Sequence, residues 1–139
     1  MYLGASFPPI LAVAGVVVNT SGKILLRKRT KHIDQGKWQL FAGYVEPGER
    51  LADAMTRILR EKADITGVQS IEFSGRYYDD PKRHPGTHCI PLVFRVKVSD
   101  DTLQNLKEND NMRWFSAEEA RELEYALDNR QILLDMELI

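Results

Sequence analysis

The sequence predicts an α+β fold, a mixed β-sheet held between helices, and three observations lead there. Apolar runs of strand length, rich in β-branched and aromatic residues, recur at residues 10–18, 68–78 and 88–98. Residues 51–65 carry a different period: Leu51, Ala54, Met55, Ile58 and Leu59 recur at the three- and four-residue steps of one helix face. Helix-start signals return near the end at Ser116 and Asp128, so helices flank the strands instead of alternating with them.

Taken in order, Phe7 and the two prolines after it make an extended entry, because proline fixes φ and biases its predecessor away from helix. Residues 10–18 are apolar almost throughout, which suits a strand buried on both faces. Asn19-Thr-Ser-Gly22 is turn chemistry, and residues 23–29 then read as the return strand of a hairpin. Residues 30–37 form a polar loop, and residues 38–41 a short strand that delivers the chain to Gly43.

The helix follows, and its polar side carries Asp53, Arg57, Glu61 and Asp64 at steps of four, four and three. Carboxylates and a guanidinium therefore share one stripe. Asp64 is expected to end the helix, since Asp tolerates the left-handed conformation of a helix C-terminus better than most side chains. The two later runs are partners across residues 79–86, a loop stiffened by two prolines and a glycine. Residues 100–111 read as polar connection and residues 112–115 as a closing strand. Ser116-Ala-Glu-Glu119 is a capping box that starts a short helix, and Asp128 is the expected cap of a last one running through Ile132, Leu133 and Met136.

Composition bounds the function. With 139 residues, 43% hydrophobic and 28% charged, the chain reads as one ordinary globular domain, 1–139. A net charge of -1 argues against a general nucleic-acid surface, which needs a basic excess. No apolar run reaches the roughly 18 residues of a membrane span. The run at 10–18 lacks the basic flank of a signal peptide, so the cytoplasm is the default compartment. The single cysteine, Cys89, sits in an apolar run and reads as a buried thiol. His84 and His88 have no third nitrogen or sulfur partner at metal-ligand spacing.

What remains points to an anionic small molecule. Arg76, Lys82 and Arg83 crowd one loop and the strand entering it, and Arg presents a planar fork suited to phosphate oxygens. Tyr77 and Tyr78 lie beside them, within reach to stack on a base; the same arginines can instead pair with Asp79 and Asp80. Arg27, at the tail of the second strand, can reach a phosphate or simply be solvated.

Residues 43–65 also carry a family resemblance. They resemble the Nudix box, G-x5-E-x7-R-E-U-x-E-E-x-G-U with U a bulky aliphatic, with Gly43, Glu49, Arg57, Leu59, Glu61 and Ile65 in register. Three positions depart: Ile58 and Lys62 stand where the family has Glu, and Asp64 where it has Gly. Trp38, Trp114-Phe-Ser, residues 78–86 and residues 126–133 are similar to segments of the ADP-ribose pyrophosphatase branch.

The resemblance implies an α/β/α sandwich and hydrolysis of a nucleoside diphosphate linked to a second group, ADP-ribose first. It implies Mg2+ or Mn2+ held at Glu61, Glu49 and Gly43, with Asp64 a substitute ligand and Glu108 or Asp110 a further carboxylate. Glu61, Glu49 and Arg57 would be the catalytic group, Arg57 orienting Glu49 through an ion pair. Arg76, Arg83, Lys62, Tyr78 and Arg27 would bind substrate, and a homodimer is an assembly common among similar proteins that nothing in this sequence shows. A Lys at a ligand position turns attraction for a metal into repulsion, worth roughly 4 kcal/mol per unit charge pair about 4 Å apart at an effective dielectric near 20. An impaired metal site follows. Lys62 then has two readings, an ammonium that binds phosphate in place of a metal or a solvated lysine on a protein that has lost activity. The rival function is an inactive nucleotide-binding or regulatory module.

Overall fold

The computed structural model describes residues 8–139, and Phe7 of the extended entry lies outside them. The first strand, β1 (Ile10–Val17), is the centre of the fold. Its six inner residues are buried on both faces, as an apolar run without alternation requires. It pairs in parallel with β6 (Cys89–Val98) and antiparallel with β4 (Phe41–Tyr44), while β5 (Val68–Tyr77) closes the far edge against β6. This is a four-stranded mixed sheet of order β4-β1-β6-β5. A second sheet, of order β3-β2-β7, is built from β2 (Ile24–Lys28), β3 (Trp38–Gln39) and β7 (Met112–Phe115) and is antiparallel throughout.

Helix α1 (Leu51–Ala63) covers one face of both sheets, burying Ala54, Met55, Ile58 and Leu59 against Val13, Val17, Leu25 and Phe94. Each large side chain so buried contributes about 1.5–3 kcal/mol. The opposite face, Ala14, Val16, Ile24, Leu26 and Val93, packs on α3 (Ala117–Arg121) and α4 (Asn129–Asp135). The result is the α/β/α sandwich, with adjacent residues of each strand facing different helices.

Three local expectations change. The hairpin of the first two strands is reduced to a single bridge, Val18 to Ile24. Both edges of β1 are already occupied by β4 and β6, so β2 turns away into the other sheet. Residues 38–41 are not one strand: the chain passes from β3 to β4 at Leu40, whose N–H donates to the buried Asn129 Oδ1 at 3.0 Å. The polar connection holds a helix, α2 (Asp100–Asn105), started by Ser99, whose hydroxyl accepts from the Thr102 N–H. Ser99 followed by two aspartates was its signal.

Helix ends follow the residues at them. Asp64 adopts φ 53° and closes α1, its N–H returning to Arg60. The Ser116 capping box forms complete at α3. Asp128 stands at the N-cap position of α4 but makes no capping bond there. Its carboxylate accepts instead from Arg83, Nε at 2.7 Å and Nη2 at 2.5 Å. Tyr78 likewise donates to Asp135 at 2.7 Å, so the 78–86 loop is fastened to α4 at two points. No helix among the described residues is long and apolar enough to cross a membrane.

Glycine at position 43 is needed for the approach of β4 to α1, since a Cβ there would lie 2.8 Å from Ile58 Cδ1. Gly43→Ala is expected to cost about 1–3 kcal/mol through overpacking. In a double-mutant cycle by denaturant unfolding, Ile58→Val should cost less beside Gly43→Ala than in the native chain, because it removes the clashing methyl. Strict additivity would show that the approach is not limiting.

Candidate active site

The site begins with a turn. Pro47 and Gly48 occupy the centre of Glu46–Glu49, Gly48 has φ 78°, and the Glu49 N–H donates to the Glu46 carbonyl at 3.0 Å, the features of a type II turn. The turn puts Glu49 beside the first two turns of α1. There Arg57 grips both its oxygens, Nε to Oε2 at 2.7 Å and Nη2 to Oε1 at 2.9 Å. The same guanidinium donates to the Tyr44 carbonyl at 2.9 Å and lies 3.3 Å from Glu61 and 3.8 Å from Glu46. Its planar fork thus ties the end of β4, the turn and the helix into one piece.

Electrostatics record the pairing. The hydrogen bonds from Arg57, then the Glu46 N–H, hold the Glu49 carboxyl down at about 2. The Arg57 guanidinium is raised in turn by its bonds to Glu49. Charge-assisted bonds to the ionised carboxylate are the physical cause in both cases.

Beyond Arg57 the polar stripe of α1 opens on a cleft of about 1180 Å³ between the helix, β2 and the segment around α2. Arg27, Glu61, Lys62, Asp64 and Asp110 line it. Glu61 is the half-exposed carboxylate of the stripe, 53% exposed and sharing one oxygen with Arg57. Lys62 is an exposed residue, but its ammonium turns back onto the sheet and donates to the Ala42 carbonyl. Desolvation at that end, then the charges of Arg27, Lys31 and Arg29, pulls it down to about 8. Arg27 is half-buried, its guanidinium 6.0 Å over the Phe41 ring, and desolvation lowers it too.

Other residues singled out from sequence stand elsewhere. Gly43 and Ile58 form the packed floor between β4 and α1, with Ile58 only 1% exposed in the core. Arg83 is 9% exposed and held by Asp128, so its fork is taken up in fastening the 78–86 loop. Tyr78 is raised by desolvation and its bond to Asp135, and buttresses α4. Arg76 lies exposed on the edge strand β5, outside the cleft lining. Of the two candidate late carboxylates, Glu108 accepts from the Trp114 N–H at 2.8 Å, while Asp110 reaches the cleft 96% exposed and 3.4 Å from Arg113. The Ala42 carbonyl and the nearness of Arg29 and Lys31 to Lys62 were invisible in sequence, since a main-chain oxygen leaves no residue signal.

These residues do not fit a resident cluster of divalent ions. Mg2+ asks for oxygen ligands in near-octahedral array. Here Glu49 is enclosed by Arg57, Glu61 shares an oxygen with it, and the Ala42 carbonyl holds an ammonium. Among the described residues no three His, Cys, Asp or Glu side chains converge to hold a metal.

The NUDIX domain model matches residues 8–136. An ADP-ribose pyrophosphatase of Methanocaldococcus jannaschii is 28% identical over 91% of this chain and 72% of its own length. A CTP pyrophosphohydrolase of Escherichia coli is 33% identical over 85% of this chain and 83% of its own. The NUDIX domain of Shewanella oneidensis NrtR, in a cocrystal structure with ADP ribose, superposes with a TM-score of 0.74 at 17% identity, covering 94% of this chain and 88% of that one. At that identity the likeness is one of fold.

The Glu49–Arg57 pair has a pH signature. Because the Glu49 carboxyl is held below its ordinary 4.5, its contribution to stability is present above that value and is lost as pH falls toward about 2. In thermal unfolding followed against pH, the gap between the native chain and Glu49→Gln should therefore narrow between those limits. A gap independent of pH would mean that Glu49 stabilises by packing alone.

Proposed function

This chain belongs to the Nudix family, and we propose that it hydrolyses a nucleoside diphosphate linked to a second group, ADP-ribose first, at a site whose metal-holding capacity is impaired. Family membership and two pyrophosphohydrolase relatives support the reaction class. The observation that carries it to this cleft is the meeting of Glu61, the half-exposed carboxylate of the α1 stripe, with the cations Arg27 and Lys62.

In this reading Arg27 and Lys62 neutralise the diphosphate oxygens, and Glu61 holds the attacking water. Water adds to one phosphorus and gives a proton to the Glu61 carboxylate, the bridging P–O bond breaks, and the leaving phosphate keeps the electron pair while a cation offsets its charge. Arg57 and Glu49 are positioning residues that hold Glu61 and the turn. Glu61 would be the open side-chain ligand for any Mg2+ or Mn2+, which would supply charge neutralisation, since Glu49 and the Ala42 carbonyl are taken by Arg57 and Lys62.

A second reading, a module that binds the nucleotide without turnover, is favoured by one observation: the Lys62 ammonium sits on the Ala42 carbonyl at a position the family fills with Glu.

A panel of nucleoside diphosphate derivatives, incubated with Mg2+, Mn2+ or chelator and assayed for phosphate products, separates the two. Hydrolysis is expected with at least one member, and Glu61→Gln should slow it on the order of 100-fold or more. Turnover unchanged in Glu61→Gln would remove Glu61 from the chemistry. Binding with no hydrolysis in any condition would leave the second reading.

A further inference from the structure

We propose that the cleft recognises the diphosphate group without a divalent ion, with the Lys62 ammonium on the Ala42 carbonyl serving as a built-in cation, so that Mg2+ weakens binding instead of enabling it. The inference rests on the reading that the ligand is a nucleoside diphosphate derivative.

The first support is where the cations find their partners. Arg57 and Arg83 have their forks filled by carboxylates, at 2.7 Å and 2.9 Å for Arg57 on Glu49 and at 2.7 Å and 2.5 Å for Arg83 on Asp128. Arg27 and Lys62 differ. Neither has a carboxylate partner among the described residues; Lys62 has a neutral carbonyl, and Arg27 has the face of Phe41. Arg27 is half-buried and Lys62 packs its charged end alone against the sheet, and a desolvated cationic end without an anion is completed well by an anionic ligand.

The second support is the local field. The charges that act most strongly on Lys62 are the cations Arg27, Lys31 and Arg29, with Glu61 opposing them, a positive balance at the ammonium. Asp64, Asp101 and Asp110 also line the cleft, as do Arg60 and Lys107, but all five are exposed to solvent and Asp110 has Arg113 beside it. A diphosphate brings the missing negative charge to Arg27 and Lys62. A divalent ion brings more positive charge to the same place, and when bound to the diphosphate it removes the charge that the two cations would have met.

The third support is geometric. The ammonium takes up the Ala42 carbonyl within β4, and Arg57 encloses Glu49 and takes the Tyr44 carbonyl at the end of that strand, so these oxygens are occupied by protein cations before any ligand arrives.

The test is calorimetric titration with α,β-methylene-ADP, whose P–C–P bridge cannot be hydrolysed, and separately with inorganic pyrophosphate, each in chelator and in excess Mg2+. Binding of both probes is expected in chelator, weakened several-fold by Mg2+. Lys62→Met, with its fold checked by thermal unfolding, is expected to lose at least tenfold in chelator, Arg27→Gln a comparable amount, and Lys62→Arg, which keeps the charge, much less. Lys62→Glu should reverse the metal dependence, binding only with Mg2+. Native binding that requires Mg2+, or Lys62→Met binding as well as the native chain in chelator, would overturn the proposal while leaving the hydrolase reading intact. Binding of pyrophosphate but not of the nucleotide analogue would uphold the metal-free diphosphate site and sink the nucleoside part of the functional reading. Failure of both probes in both conditions would overturn both.

Discussion

The grip of Arg57 on Glu49 and on the Tyr44 carbonyl is the constraint on which the site depends. A type II turn alone leaves the chain free to swing relative to the helix it precedes. A planar guanidinium that contacts the strand end, the turn and the next helical step at once removes that freedom, because its donors are fixed in one plane. With β4 and α1 locked together, the Ala42 carbonyl is brought to Lys62 and Gly43 is pressed onto Ile58.

A second clamp holds the far side. Residues 78–86 and 126–133 look in sequence like two unrelated signatures, yet in space they are one assembly, Arg83 on Asp128 and Tyr78 on Asp135. The forks of Arg57 and Arg83 act inside the protein. Among the cleft cations without a carboxylate partner, Arg60 and Lys107 are exposed, whereas Arg27 and Lys62 have their charged ends against the sheet, and the functional reading is built on these two for that reason. Their distinction from Arg57 and Arg83 is one of partners and not of residue type, since all four carry the same charge.

The helix α1, the buried run of β1, the Asn19–Gly22 turn, the left-handed close at Asp64 and the Ser116 capping box were all legible in the sequence, because each depends on residues a few positions apart. Ile58 likewise reads as core from its helical step, and it is core. The failures share a different cause. The pairing of β2 depends on which edges of β1 are free, and the break at Leu40 on an Asn 89 residues away. Asp128 was legible as a cap by position, but a charged fork from the 78–86 loop outcompetes the weaker capping bond for its oxygens.

Taken alone, the sequence determined the α+β class, the place of each main strand and helix, and the stripe of charges on α1, since hydrophobic period, turn residues and caps act over short distances along the chain. Only the tertiary structure decided which charges are neutralised. It enclosed Glu49, fastened Arg83, left Glu61 half open, and set the Lys62 ammonium on a main-chain oxygen that no reading of side chains would single out. Charges interact through space, and the distances that set their partners exist only once the sheets and helices have packed.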